Sequence, residues 1–318
     1  MSEEPIHPRP PTPVAEKAPR RVSNLALRLL TASLVIPPVL WLIAIDGVAY
    51  LVVVIGITLM GLREFYRLIE DKGAHPLVGF GLVAGAALPC VAYLGNEYHA
   101  TLLMTAVLLG VMVAQVGKAE ITEALASISG TFFGVFYVAW LLSHAIVLRQ
   151  FHDVVAARFG PVAAAQVAPD AGAFYMIFTL AAVVGCDAGA YFAGRKWGRR
   201  KLAPQISPGK TVEGALGGIV AGTLNAMLFK GIFDVWWPDL SASFPWSAAV
   251  PFAVVLTIVG IIGDLVESLL KRDAQRKDAG GALPGMGGFL DRIDSSLLGI
   301  PVMYYLLLSY TYLRVGSP

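Results

Sequence analysis

The run "GDLVESLLKRD", Gly263 to Asp273, places Asp264, Glu267, Ser268 and Lys271 at i, i+3, i+4 and i+7. On a helix that spacing is one face. Two acids, a hydroxyl and an amine on one face can hold a cation and a phosphate side by side. The plain alternative is an Asp264–Lys271 pair that only neutralises itself, but a second acid and a hydroxyl share the stripe. Acids inside apolar helices are costly and usually functional.

Similar groups lie on both sides. Upstream, in "CDAGAYFAGRKWGRRKLAPQISPGKTVEG", Asp187, Tyr191 and Arg195 again fall on one helical face. From Arg195 to Lys210 there are six basic residues and no acid. An ordinary positively charged inner loop accounts for most of that charge. It does not account for "SPGKT", where Ser207, the backbone at Gly209, Lys210 and Thr211 can cradle phosphate as a helix begins. This is not a Walker A loop, because Pro204 stands where that motif needs glycine. Glu213 opens the next helix, and Gly214, Gly218 and Gly222 form a stripe suited to close helix contact. Downstream, residues 271–295, "KRDAQRKDAGGALPGMGGFLDRIDS", hold five Lys/Arg, four Asp and five Gly. The glycines allow close backbone approach to a ligand. Asp291 and Asp294, three apart, can face one cation, and Lys271, Arg272, Arg276 and Lys277 are available for phosphates.

Apolar elements must position these groups. The 318-residue chain is 56% hydrophobic and only 14% charged, against about 25% charged in soluble domains. Several apolar runs reach the roughly 20 residues that span a bilayer. The expected fold is all-α, a polytopic integral membrane protein with about nine transmembrane helices. They are expected near 25–45, 47–63, 76–95, 99–116, 124–149, 172–194, 211–230, 247–270 and 296–315, the first two forming a tight hairpin around "AIDGVAY". With a cytoplasmic N-terminus, only Arg149, Arg158, Lys230 and Arg314 fall outside, so 24 − 4 = 20 of the Lys/Arg lie on the inner side. Trp236 and Trp237 then sit at the outer interface and Trp197 at the inner one.

The expected organisation is a disordered, Pro-rich cytoplasmic tail (1–24), plain N-terminal membrane helices (25–170) and a C-terminal catalytic membrane region (171–318). The Ala-rich stretch 150–170 is expected to be an external loop with a short helix. No secretory cleavage pattern follows the tail. Cys90 and Cys186 form no metal or redox motif and are expected to be buried free thiols. In this topology Asp187, Asp264, Glu213 and Asp291 all gather near the inner leaflet. Carboxylates with Lys/Arg and glycine turns suit Mg²⁺ and polyphosphate. The five histidines lie outside these motifs, which argues against zinc.

The ordered set Ser268, Lys271, Arg272, Lys277, Asp278, Pro284, Gly285, Gly287, Gly288, Asp291, Arg292 and Asp294 resembles the signature of phosphatidate cytidylyltransferases (CDP-diacylglycerol synthases). The resemblance spans most of 185–300. It implies transfer of the cytidylyl group of CTP to phosphatidate, giving CDP-diacylglycerol and pyrophosphate for phospholipid synthesis. It also implies Mg²⁺ on Asp264 and Asp291, a second cation such as K⁺, and a homodimer, with no nucleic-acid partner. Carried onto this sequence, the catalytic candidates are Asp264, Lys271, Arg272, Asp291, Arg292 and Asp294. The substrate-binding candidates are Asp187, Arg195, Ser207, Lys210, Glu213, Ser268, Lys277, Gly287 and Gly288. The implied location is a bacterial plasma (inner) membrane, with the active site on the cytoplasmic side.

One position departs from the pattern: Met286 stands where the family has His. Methionine carries no charge and moves no proton. The retained acids and bases favour an active enzyme. The alternatives are a CTP-dependent enzyme acting on another lipid, and a catalytically silent relative serving as a scaffold. An ion transporter would place its charges at mid-membrane and in both halves. Here they gather at one face and in one half.

Overall fold

A computed structural model of the chain describes residues 37–95, 97–118, 122–276, 279–280 and 288–315. The tail, most of the first expected helix, Lys277, Met286 and Gly287 lie outside the described residues. Residues 40–318 form one compact unit.

Residues 40–45 are helical, and the helix breaks at Asp46 and Gly47, whose φ angles are 56° and 72°. That left-handed pair suits a short polar residue and a glycine, and it marks the break expected at "AIDGVAY". The chain then runs through α1 (Gly47–Asp71), α2 (Val78–Tyr93), α3 (Glu97–Val116) and α4 (Ala124–Gly134). A π-helical stretch, Val135–Trp140, joins α4 to α5 (Leu141–Arg149) in one continuous span. Two short helices, α6 (Phe151–Phe159) and α7 (Pro161–Ala164), occupy the stretch expected as a loop with one helix. Next comes α8 (Ala171–Trp197), then strands β1 (Lys201–Ala203) and β2 (Ser207–Thr211). The chain ends with α9 (Val212–Trp236), α10 (Pro238–Ser241), α11 (Trp246–Asp273) and α12 (Leu290–Val315).

Among the described residues, seven spans are long and apolar enough to cross a membrane, and the 16-residue α2 is a shorter apolar helix. Each expected segment holds a helix, the first being described only from residue 37. The fold is therefore an all-α polytopic membrane bundle. Trp197, Trp236 and Trp237 are exposed at or beside helix ends, where indole rings favour the membrane–water boundary. Cys186 is buried, whereas Cys90 is exposed on α2, contrary to expectation. Position 90 falls on a face that no described helix covers, so its thiol acts as one more apolar surface group.

The segment after α8 is not the open loop expected. β1 and β2 form an antiparallel hairpin, with Lys201 opposite Thr211 and Ala203 opposite Ser207. Its turn is residues 204–206, and Lys201 Nζ reaches back to the Pro208 carbonyl at 2.7 Å. A three-residue strand and a five-residue one of turn residues, SPGKT, carry too little alternation to be read from sequence.

The glycine stripe sets the closest helix pair. A Cβ on Gly214, Gly218 or Gly222 would lie 3.0, 2.8 and 2.4 Å from the carbonyl oxygens of Ala190, Cys186 and Ala182. One residue per turn of α9 thus lies directly on the α8 backbone, the close approach that small residues permit in membranes. Thr211 caps α9 by accepting from the Gly214 amide at 3.1 Å. This pairing fixes Asp187 on α8 relative to Lys210 just ahead of α9. At the far end, Phe174, Phe178, Phe233 and Phe244 pack ring to ring with centroids 5.1–5.9 Å apart, edge-on and tilted as aromatic quadrupoles prefer.

Candidate active site

Four elements meet at one end of the bundle: the C-terminal turns of α8 and α11 and the starts of α9 and α12. The α11 stripe folds as its spacing predicts. Ser268 Oγ donates to Asp264 Oδ1 at 3.4 Å, and Lys271 forms an ion pair with Glu267 one turn back. Glu267 is fully buried, at 0% exposure, and its Oε1 has no hydrogen-bond partner among the described residues. On α12, Asp294 is buried and accepts from the Ser295 amide at 2.6 Å.

One carboxylate oxygen each from Asp264, Glu267 and Asp294 lies within 4.8 Å of the other two. Desolvated carboxylates this close repel unless a cation joins them or one takes up a proton. An all-oxygen donor set with an unsatisfied buried oxygen fits a hard divalent cation such as Mg²⁺. The structure thus groups Asp264 with Glu267 and Asp294, and Asp291 stands beside them, sharing the Lys271 amine with Glu267. Asp291 takes Lys271 Nζ on Oδ1 at 2.6 Å, and on Oδ2 the amides of Gly288 (2.8 Å) and Ala279 (3.2 Å).

A cavity of about 510 Å³ opens beside Asp264, lined among others by Asp187, Tyr191, Arg195, Ser207, Lys210 and Thr211. Its size is that of a small-ligand site, about 300–1,000 Å³. Lys210 Nζ stands 2.5 Å from Asp264 Oδ2, so one amine bridges the phosphate-cradle residues and the acid cluster. Arg195 reaches Tyr191 Oη at 3.3 Å along the cavity wall.

Other candidates serve different ends here. Glu213 Oε2 accepts the amides of Arg199 (2.9 Å) and Arg200 (3.1 Å), tying the hairpin to the start of α9. Arg272 donates to the carbonyls of Ile206 and Arg276, both at 3.2 Å. It thereby holds the hairpin turn against the end of α11. Arg292 is exposed on the first turn of α12. Lys277 and Gly287 lie outside the described residues, as does Met286. The sequence reading also missed Glu64. This buried acid on α1 accepts from the Leu290 amide at 2.7 Å, across 226 residues. The available signal was an acid one residue beyond the expected span 47–63, in "GLREFYRL".

Residues 26–310 match the model of the cytidylyltransferase family. The chain belongs to that family. The phosphatidate cytidylyltransferase of Bacillus subtilis is 42% identical over 136 residues, covering 43% of this chain and 48% of that protein. That of Chlamydia pneumoniae is 43% identical over 142 residues, 44% of each. With these two, the chain spans about half the length of the curated relatives it matches. The phosphatidate cytidylyltransferase of a Synechocystis species is 30% identical over 294 residues, covering 87% of this chain and 94% of that protein. Family membership therefore extends through the N-terminal helices, including α1 and Glu64.

Proposed function

We propose that this membrane protein transfers the cytidylyl group of CTP to phosphatidate, at the cytoplasmic face of a bacterial plasma membrane and as a homodimer. A phosphate oxygen of phosphatidate attacks the α-phosphorus of CTP. The bond to the β-phosphate breaks, and pyrophosphate leaves with the electron pair, giving CDP-diacylglycerol. Such a transfer needs positioning and charge neutralisation more than covalent help. The observation that carries the proposal is the acid cluster of Asp264, Glu267 and Asp294, joined through Lys210 to a cavity at the end of the membrane helices. The names of the family relatives supply the substrate pair.

Asp264, Glu267 and Asp294 would hold Mg²⁺, which supplies neutralisation of phosphate charge. Lys210 and Ser207 receive phosphates of the nucleotide from the hairpin side, with Arg195 on the opposite wall. Lys271 is held between Glu267 and Asp291, next to the acid cluster. The lipid reaches the cavity from the bilayer that surrounds α8, α9 and α11.

The test uses the purified protein in liposomes containing phosphatidate, with CTP labelled at its α-phosphate and Mg²⁺. Labelled CDP-diacylglycerol is expected from the parent chain and not from Asp264→Asn. Product from the parent also means that Met286 is tolerated. No product from the parent, with product from Met286→His, would mean that the native chain is impaired. Silence from both would overturn the proposed substrate pair.

A further inference from the structure

We infer that Glu64 is a positioning residue for the reaction: from the N-terminal half it holds the start of α12, and with it the Asp291–Lys271 pair, in register. The inference rests on the function proposed above.

Glu64 is 3% exposed on an apolar helix, a costly place for a carboxylate. Its Oε2 accepts from the Leu290 amide, the first of α12. The opening amides of a helix have no partner within it, and the helix dipole there favours an acid. Glu64 therefore caps α12 from another helix.

Two glycines show how tightly the carboxylate is enclosed. A Cβ on Gly280 would lie 2.4 Å from Glu64 Oε1, and one on Gly288 would lie 2.8 Å from Oε2. The same Cβ on Gly288 would lie 2.6 Å from the Gly280 amide nitrogen and 2.9 Å from Asp291 Oδ2. Gly280 and Gly288 thus meet against Glu64 on one side and Asp291 on the other. Asp291 accepts the Ala279 and Gly288 amides and also holds Lys271. Glu64 and Asp291 grip the same two pieces of backbone. Release of Glu64 frees the end of α12 that carries Asp291, one residue after Leu290, and Asp294, one turn on.

A packing acid alone would leave metal dependence unchanged once unfolded protein is discounted. A positioning residue would not, since lost outer partners typically weaken metal binding 10–100-fold, and a misplacement of about 1 Å can cost about 100-fold in rate. In Glu64→Ala we expect kcat to fall at least tenfold and half-activating Mg²⁺ to rise about tenfold, with little change in KM for CTP. Glu64→Gln, whose amide oxygen still accepts from Leu290, should recover most of both. Gly280→Ala should act in the same direction and cost nothing further in the Glu64→Ala background, because both changes break one contact.

Hydrogen exchange supplies a readout that needs no turnover. Amides of Ala279, Gly280 and residues 288–291 should exchange at least tenfold faster in Glu64→Ala than in the parent, with α8 and α9 unchanged. If the parent makes no CDP-diacylglycerol, the proposed function falls while this exchange pattern still decides Glu64's hold on α12. Unchanged exchange at Ala279, Gly280 and 288–291, exchange that rises throughout the chain, unaltered Mg²⁺ dependence in an active Glu64→Ala protein, or losses that multiply in the double variant would each overturn the inference.

Discussion

The two ends of this bundle treat buried charge in opposite ways. At the end where α5 stops and α8 begins, Arg149 is 1% exposed and fully engaged. Its guanidinium donates to the Ile43 carbonyl at 2.7 Å and to Asp170 at 3.0 Å, and lies 3.6 Å from Asp46. Nearby, buried Lys230 pairs with Asp234, which also accepts the Ser241 hydroxyl at 2.6 Å. These are closed sets in which each buried cation meets an acid, Arg149 with carbonyls besides and Lys230 over the Phe174 and Trp246 rings. At the other end Asp264, Glu267, Asp291 and Asp294 face Lys210 and Lys271, four acids to two amines, with a buried Glu267 oxygen left over. Closed sets hold helices together; an acid excess beside a cavity fits the cation of the proposed reaction. The acids paired with Arg149 and Lys230 stay partly exposed, whereas Glu267 and Asp294 at the site are buried, so in this bundle it is buried acid in excess of its cations that marks the site.

The sharpest way to break this contrast is to remove one surplus acid. Glu267→Gln and Asp294→Asn should lower cytidylyl transfer about a thousandfold, or ~4 kcal/mol of transition-state stabilisation. Thermal stability in detergent should hold or rise, because like-charge repulsion is relieved. Activity and stability measured on the same preparations decide it. A large loss of stability would mean that these acids are structural, as at the other end.

The converse change is Arg149→Met. Activity per folded molecule should be unaffected, while stability falls by about 3 kcal/mol, the low end for breaking a buried pair. The low end applies because Asp170 and Asp46, left behind, are partly exposed (68% and 31%). Denaturant unfolding followed by tryptophan fluorescence would measure it. Lost activity in fully folded Arg149→Met would place this cluster in the reaction and end the distinction.

What could be read from the sequence follows the same division. Helices announced themselves by apolar run length, and the α11 stripe by spacing along one helix. Both are local signals. The gathering of Asp187, Asp264, Glu213 and Asp291 toward one end followed from topology alone, since each stands near that end of its helix. Three features were not legible. The β1–β2 hairpin is too short to show alternation. Arg272 and Glu213 read as ligand groups, because sequence does not reveal that backbone of the hairpin captures them first. Glu64 was missed because its partner is 226 residues away, and an acid just past the expected span 47–63 resembles an ordinary interfacial residue, whereas the helix in fact continues to Asp71. Tertiary capture overrode local chemistry in each case.

A smaller effect tests how the cavity wall is set. Gly222→Val should cost about 2 kcal/mol, within the range for overpacking. Even one Cβ there would stand 2.4 Å from the Ala182 carbonyl oxygen and 2.5 Å from Thr257 Cγ2. Because α9 would move away from α8, the distance between Asp187 and Lys210 should change, and KM for CTP should rise more than kcat falls. An unchanged KM would separate this helix contact from the site.

The least effect is expected where charges are exposed. Lys72 pairs with Asp273 at 2.7 Å and Arg276 with Asp71 at 2.6 Å, joining the end of α1 to the end of α11 close to the site. In Lys72–Asp273 the two side chains are 46% and 62% exposed, so water and salt compete for them. Lys72→Ala should therefore cost only about 0.2–1 kcal/mol, and less as ionic strength rises and the screening length shrinks toward about 3 Å at 1 M salt. Unfolding midpoints of the parent and Lys72→Ala at low and high salt would measure this. These pairs and Glu64 all join α1 to the catalytic end. A loss above 2 kcal/mol that persists at high salt would give the exposed pair the role assigned to the buried acid. A small, salt-sensitive loss leaves Glu64 as the contact through which the N-terminal helices hold the site in register.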